Sequence, residues 1–309
     1  MRRILDNRQY FMGCAIALIM LSHLLSVCKE LKPLWVFYPG FIGVDIFLFL
    51  SGYGLCRSFE NNDIRTFYKR RIQRILPMFL CFQLFISVFQ MAAERSANLW
   101  DIICNFTTLS FWGLGGWTAE WYLSFLFYLY LLFPLIYRLA SRLGIYATLT
   151  CLAILAALQY SMNWPWNIDA AFSRIPIFMM GIVCYLAKGK SKTYLSQAAA
   201  FTITIPLFVW MVLTHRAEKY EIVYMFAPCF MILASYASKV IITSKNIIYA
   251  IFEFLGKHSI ELYVANMMTL SIIQNLSIPV YPRLAAYIIS QIVLSWLMIK
   301  TNRILNKCL

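Results

Sequence analysis

The chain has 309 residues, of which 61% are hydrophobic and only 13% charged, with a mean hydropathy of +0.69. Soluble domains carry about 45–50% apolar and about 25% charged residues, so this composition excludes an ordinary water-soluble enzyme. A net charge of +14 needs a partner or a topology to explain it.

Apolar runs of spanning length recur along the chain. At about 20 residues per crossing, 309 residues accommodate roughly ten. They lie near Phe11–Val27, Phe37–Cys56, Ile75–Met91, Trp121–Tyr137, Tyr146–Ser161, Ala170–Ala187, Ala198–Thr214, Ile222–Val240, Phe254–Leu276 and Leu284–Ile299. The expected fold is therefore all-α, a polytopic membrane protein of about ten helices forming one domain over residues 1–309. Arg2, Arg3 and Arg8 before the first run imitate a signal peptide, but no small-residue cleavage site follows. We expect that run to be kept as a span. Asp101–Trp112 is apolar but too short to cross, and reads as interfacial or re-entrant.

The basic residues set the orientation. With ten spans and an inside N-terminus, 20 of the 27 Lys and Arg fall on the inside, six of them between Arg57 and Arg74. The outside keeps seven: Lys29, Lys32, Arg95, Arg174, Arg216, Lys219 and Arg283. That asymmetry predicts cytoplasmic termini, and it accounts for the net charge without a nucleic-acid partner. The longest connection, roughly Ala92–Glu120, is too short for a separate catalytic domain. The nine cysteines show no C-x-x-C spacing and read as buried small hydrophobes, with no metal site.

Polar residues within the spans are then the places to seek chemistry. His23 lies 12 residues above Phe11, and Asp45 eight below Phe37 on the next, oppositely directed span. Both come to about 18 Å from the inner boundary. A carboxylate holding an imidazole is a usual general-base arrangement; a pair that merely satisfies itself between helices is the plainer alternative. Arg70, Arg71 and Arg74 share helix faces at i,i+3 and i,i+4, which suits a phosphate-bearing ligand as well as an anionic lipid surface. Glu120 and Trp121 open the fourth span, Arg174 lies near Asp169 at the outer end of the sixth, and Glu261 and Asn266 lie in the ninth. Snorkelling accounts for Arg174, and helix-packing hydrogen bonds for Asn266, about as well as a site does. His215 and His258 fall at helix ends. No H-E-x-x-H, G-x-S-x-G, Walker or Rossmann pattern occurs.

Taken in order, these residues make a pattern: His23; Gly43-Val44-Asp45-x-Phe47 through Ser51-Gly52; Arg71-x-x-Arg74-x-x-Pro77; Trp121-Tyr122-Leu123-Ser124; Arg174-x-Pro176-x-Phe178-x-x-Gly181; and Gly256-Lys257-His258-Ser259-Ile260-Glu261-Leu262-Tyr263. It resembles the acyltransferase-3 family of bacterial integral-membrane acyltransferases, in its stand-alone ten-helix form, over nearly the whole chain. The resemblance implies O-acyl transfer, usually acetyl, from cytoplasmic acetyl-CoA as co-substrate to a sugar hydroxyl of a surface or lipid-linked glycan, in the bacterial cytoplasmic membrane. Carried over by position, His23 would be the catalytic histidine, oriented by Asp45. Arg71 and Arg74, with Arg70 beside them, would bind the donor. Glu120, Arg174 and Asn266 are the candidates for holding the acceptor. Two positions depart from the family: Met12 stands where Arg or Lys is common, with Arg8 one turn lower, and Asn266 where His is common. A flippase for a lipid-linked sugar and a non-catalytic membrane subunit are the rival readings.

Overall fold

The computed structural model describes residues 2–31, 40, 42–93, 98–115, 121–161, 164–186, 231 and 234–308. Among these, all regular structure is helical. Six stretches are long and apolar enough to cross a membrane: Arg8–Val27, Ile42–Glu60, Ile64–Ala92, Trp121–Leu143, Trp166–Leu186 and Val280–Lys307. The span expected at residues 198–214, and most of that expected at 222–240, fall outside the described residues. In chain order the helices are α1 (Arg2–Asp6), α2 (Arg8–Val27), α3 (Ile42–Glu60), α4 (Ile64–Ala93), α5 (Leu99–Phe106), α6 (Trp121–Ser161), α7 (Trp166–Phe172), α8 (Ile175–Leu186), α9 (Lys239–Ser244), α10 (Ile247–Lys257), α11 (Ser259–Ile273) and α12 (Val280–Cys308).

Helices α2 and α3 form the centre. On α3, nearly every residue from Ile42 to Gly52 is buried, because other helices enclose it on all sides. The peripheral α12 instead turns Ile288, Ile289, Ile292, Val293 and Trp296 outward. A row of large apolar side chains on the outside is what a lipid solvent selects. Without a hydrophobic drive between helices in lipid, close backbone approach does the packing, and small residues permit it. At the α2–α10 crossing, a Cβ on Gly13 would lie 1.8 Å from the Phe252 carbonyl oxygen, and one on Gly256 1.8 Å from that of Gln9. Tyr10 of α2 stacks on Tyr249 of α10 at 5.4 Å beside that contact.

Two helices differ from the expected spans. The fourth and fifth runs are joined in α6, a single helical run of 41 residues. Drawn straight it would be ~61 Å long. Yet Trp164 packs on Phe172 at 5.7 Å, and Arg174, two residues on, lies 5.1 Å over the ring of Trp121, where α6 begins. Ser161 can be no more than ~11 Å from Trp164 along the chain. The run therefore folds back on itself beyond Tyr137, whose hydroxyl donates to Glu60 at the far end of α3. The expected ninth span is also cut: at His258 the chain leaves α10 and starts α11, a separate apolar helix of 15 residues. Asp63 opens α4 by accepting the Thr66 N–H at 3.1 Å, and bonds from Thr66 hold its carboxyl below the usual range. The short apolar stretch after α4 forms α5 and a 3₁₀ turn, Leu109–Trp112, with Leu99, Trp100, Ile103 and Trp112 exposed. That suits a helix lying in an interface.

Candidate active site

His23 sits near the end of α2 and does not meet Asp45. Its Nδ1 lies 2.5 Å from Asn266 Oδ1 on α11. The amide nitrogen of Asn266 donates to the Tyr287 hydroxyl at 2.6 Å and to Gln291 Oε1 at 2.9 Å, both on α12. Tyr287 in turn donates to the Met20 carbonyl of α2 at 2.9 Å. Four polar residues on three helices thus close a loop around the imidazole. Asn266, expected to help hold an acceptor, is fully buried and spends both amide hydrogens inside the protein.

The expected pairing of Asp45 with His23 is thereby corrected. Equal depth on consecutive helices does not imply facing sides, and α3 turns Asp45 towards α8. There its carboxylate forms an ion pair with Arg174 Nε at 3.2 Å, 3% and 0% exposed respectively. Arg174 also donates to the Ala170 carbonyl at 2.6 Å and covers the Trp121 ring. Snorkelling does not describe so buried a guanidinium. Glu120 lies outside the described residues.

At the opposite end of the bundle, Arg70 and Arg74 line a cavity of about 300 Å³ with Gln73, Lys257, Ile260, Glu261, Asn302 and Asn306. Arg71 points elsewhere: it donates to Ser58 Oγ at 2.6 Å and packs over Phe67. Arg8 approaches the Leu50 carbonyl within electrostatic reach of Arg74 and Arg71, so it brings a charge to the cluster that Met12 lacks. Glu261 accepts from Asn302 at 2.6 Å and is outnumbered by Arg70, Arg74 and Lys257, so the cavity is net basic. A second, narrow void of about 20 Å³ lies inward, between Met12, Phe47, Ser51, Tyr122, Tyr130 and Tyr263. Arg74 and Ile260 line both spaces. Tyr263 is one turn from Asn266 on α11, so this lining leads from the basic cavity towards the imidazole.

Lys257, Tyr287 and Gln291 were missed by the sequence reasoning. Tyr287 and Gln291 carried a usable signal, since two polar residues four apart in an apolar span mark one helix face. Lys257 looked like one more inside charge.

Fold and site together define a multi-pass, all-helical membrane protein that holds an imidazole near one end and a basic cavity at the other. Residues 10–300 match the family profile described as an acyltransferase domain, acyltransferase-3, and the chain belongs to that family. It is 24% identical over 260 residues to "Putative acetyltransferase ORF330" of Acidianus two-tailed virus, covering 77% of this chain and 76% of that protein. It is also 32% identical over 130 residues to acyltransferase MdmB of Streptomyces mycarofaciens, covering 38% of this chain and 34% of that one. No solved structure matches it significantly. The protein is an acyl-transferring enzyme, which displaces the flippase and non-catalytic readings.

Proposed function

We propose that the enzyme moves an acyl group, most simply acetyl, from cytoplasmic acyl-CoA to a hydroxyl of a surface or lipid-linked sugar, in the bacterial cytoplasmic membrane. The observation that carries this reading is the shared lining of the two internal spaces. Arg70, Arg74 and Lys257 surround a cavity of about 300 Å³, and the charge asymmetry of the sequence supports a cytoplasmic position for that end. Guanidinium groups recognise phosphates by paired charged hydrogen bonds, and the diphosphate end of an acyl-CoA is a ligand of that kind. The thin space beyond Arg74, about 20 Å³, lies on the line from the basic cavity towards the imidazole that a slender thioester arm would have to open. His23, near the other end, is where a hydroxyl arriving from outside would meet the thioester.

In the reaction, His23 takes the proton of the acceptor hydroxyl as its oxygen attacks the thioester carbonyl. The carbon–sulfur bond then breaks, and the proton held by His23 passes to the departing sulfur, so that CoA leaves as the thiol and the imidazole is neutral again. No metal is required. Arg174 and Asp45, near the His23 end, shape the acceptor side as a neutral ion pair. Termini in the cytoplasm and ten crossings complete the proposal.

His23→Ala tests it. Protein purified in nanodiscs should release CoA thiol from acetyl-CoA in the presence of membrane glycan, and the variant should lose that release by about 10²–10⁴-fold at equal insertion. Unchanged turnover by His23→Ala would overturn the assignment of the base.

A further inference from the structure

The loop of hydrogen bonds around His23 fixes more than its position. We infer that Tyr287 and Gln291 are positioning residues that act through Asn266 to hold His23 as the Nδ1–H tautomer, with its lone pair on Nε2. The inference rests on the reading of His23 as general base and adds which nitrogen does the work.

The argument follows the protons. The Met20 carbonyl can only accept, so the single hydroxyl hydrogen of Tyr287 is committed to it. The Tyr287 oxygen must then receive a hydrogen from Asn266, which turns the amide NH₂ of Asn266 towards α12. Gln291 gives the same answer independently. Its nitrogen donates to the Leu262 carbonyl at 3.4 Å and to Ser295 Oγ at 3.0 Å. The Leu262 carbonyl cannot donate, so Gln291 presents its oxygen to Asn266 and also demands an N–H. Both neighbours therefore leave the Asn266 oxygen facing His23. An amide oxygen cannot donate, so the nitrogen 2.5 Å from it must. Nδ1 carries the hydrogen, and in the neutral ring Nε2 does not. No hydrogen bond occupies Nε2 among the described residues. The order of control runs from two backbone carbonyls, through α12, through one buried asparagine, to the imidazole.

Asn266 is well chosen for this task. It offers one acceptor and two donors at once, and here all are used. Were it reversed, an NH₂ would face Nδ1, the hydrogen would move to Nε2, and the ring would have no lone pair for the hydroxyl.

The chain has three histidines, so ¹⁵N-histidine labelling of the full protein in nanodiscs gives few signals. Those of His23 are identified by their disappearance in His23→Gln. The expected spectrum at a pH where the ring is neutral shows a protonated Nδ1 and an unprotonated Nε2. A protonated Nε2 in the unaltered enzyme would overturn the inference whether or not any variant folds. Tyr287→Phe with Gln291→Leu removes both anchors of the amide. That variant should show a mixture of tautomers and a kcat lowered by about 10-fold or more, within the range a general base contributes, at unchanged KM for acetyl-CoA. Gln291→Glu, which still accepts from Asn266, should keep the wild-type tautomer. A double variant with the wild-type tautomer would show that Tyr287 and Gln291 do not set it. The two readings fail distinguishably: a reversed tautomer with an inactive His23→Ala removes only this inference, whereas an active His23→Ala removes the base assignment and with it the catalytic role of Tyr287 and Gln291, leaving the tautomer as a structural fact.

Discussion

Arg174→Gln isolates the buried ion pair. Asp45 is fully buried, both its carboxylate oxygens lack a hydrogen bond, and Arg174 lies 3.2 Å away. Substituting Arg174 leaves that carboxylate in a low-dielectric interior without its cation. Breaking a buried pair from one side costs about 3–5 kcal/mol, because the remaining charge is stranded; proton uptake by the carboxylate sets the ceiling. Arg174→Gln also loses the contact with the Trp121 ring, worth about 0.5–2 kcal/mol. Asp45→Asn placed on the Arg174→Gln background removes the stranded charge and should recover most of the loss. Unfolding by SDS titration in mixed micelles, followed by tryptophan fluorescence, measures all the variants on one scale. The reasoning fails if Arg174→Gln is as stable as the wild type, or if the double variant is no more stable than the single.

Arg70→Ala with Arg74→Ala should raise the KM for acetyl-CoA, with turnover partly restored at saturating donor, because the two line the basic cavity; Arg71→Ala should act less on KM, since its guanidinium is turned to Ser58. Gly256→Leu adds a Cβ 1.8 Å from the Gln9 carbonyl oxygen, so α10 and α2 must separate, and overpacking of about 1–3 kcal/mol should appear as a lower melting temperature in detergent. A cytoplasm-active reporter fused after Leu309 should be active and an export-dependent one silent; the reverse would remove the ten-span topology.

The membrane class and the pairing of Arg70 with Arg74 were legible in the sequence, from local composition and i,i+4 spacing, whereas the turn of Arg71 to Ser58 was not. Facing was not legible: counting residues from a boundary pairs His23 with Asp45 by expected level alone. Which side of α3 carries Asp45 depends on the helices around it, and Arg174, more than a hundred residues on, takes the carboxylate. In the same way, Asn266 reads as a helix-packing residue until α12 is beside it. The fold-back in α6 is invisible locally, since good helix formers continue through Arg138 and Arg142. The break at His258 shows no proline or glycine at the residue itself, although Gly256 stands two positions before it.

The narrow void between Met12, Tyr122, Tyr130 and Tyr263 has room for about 20 Å³, close to what one water molecule occupies. On the proposed reaction, donor and acceptor arrive from opposite faces of the membrane, and an open route between them would short-circuit the ion gradients across it. Among the described residues, the aromatic walls narrow this lining to about the size of a single water. On the proposed donor route, a thioester arm passes only when those tyrosine side chains part around it, and the arm then fills the opening it makes. On that route, seal and substrate path are one and the same contact.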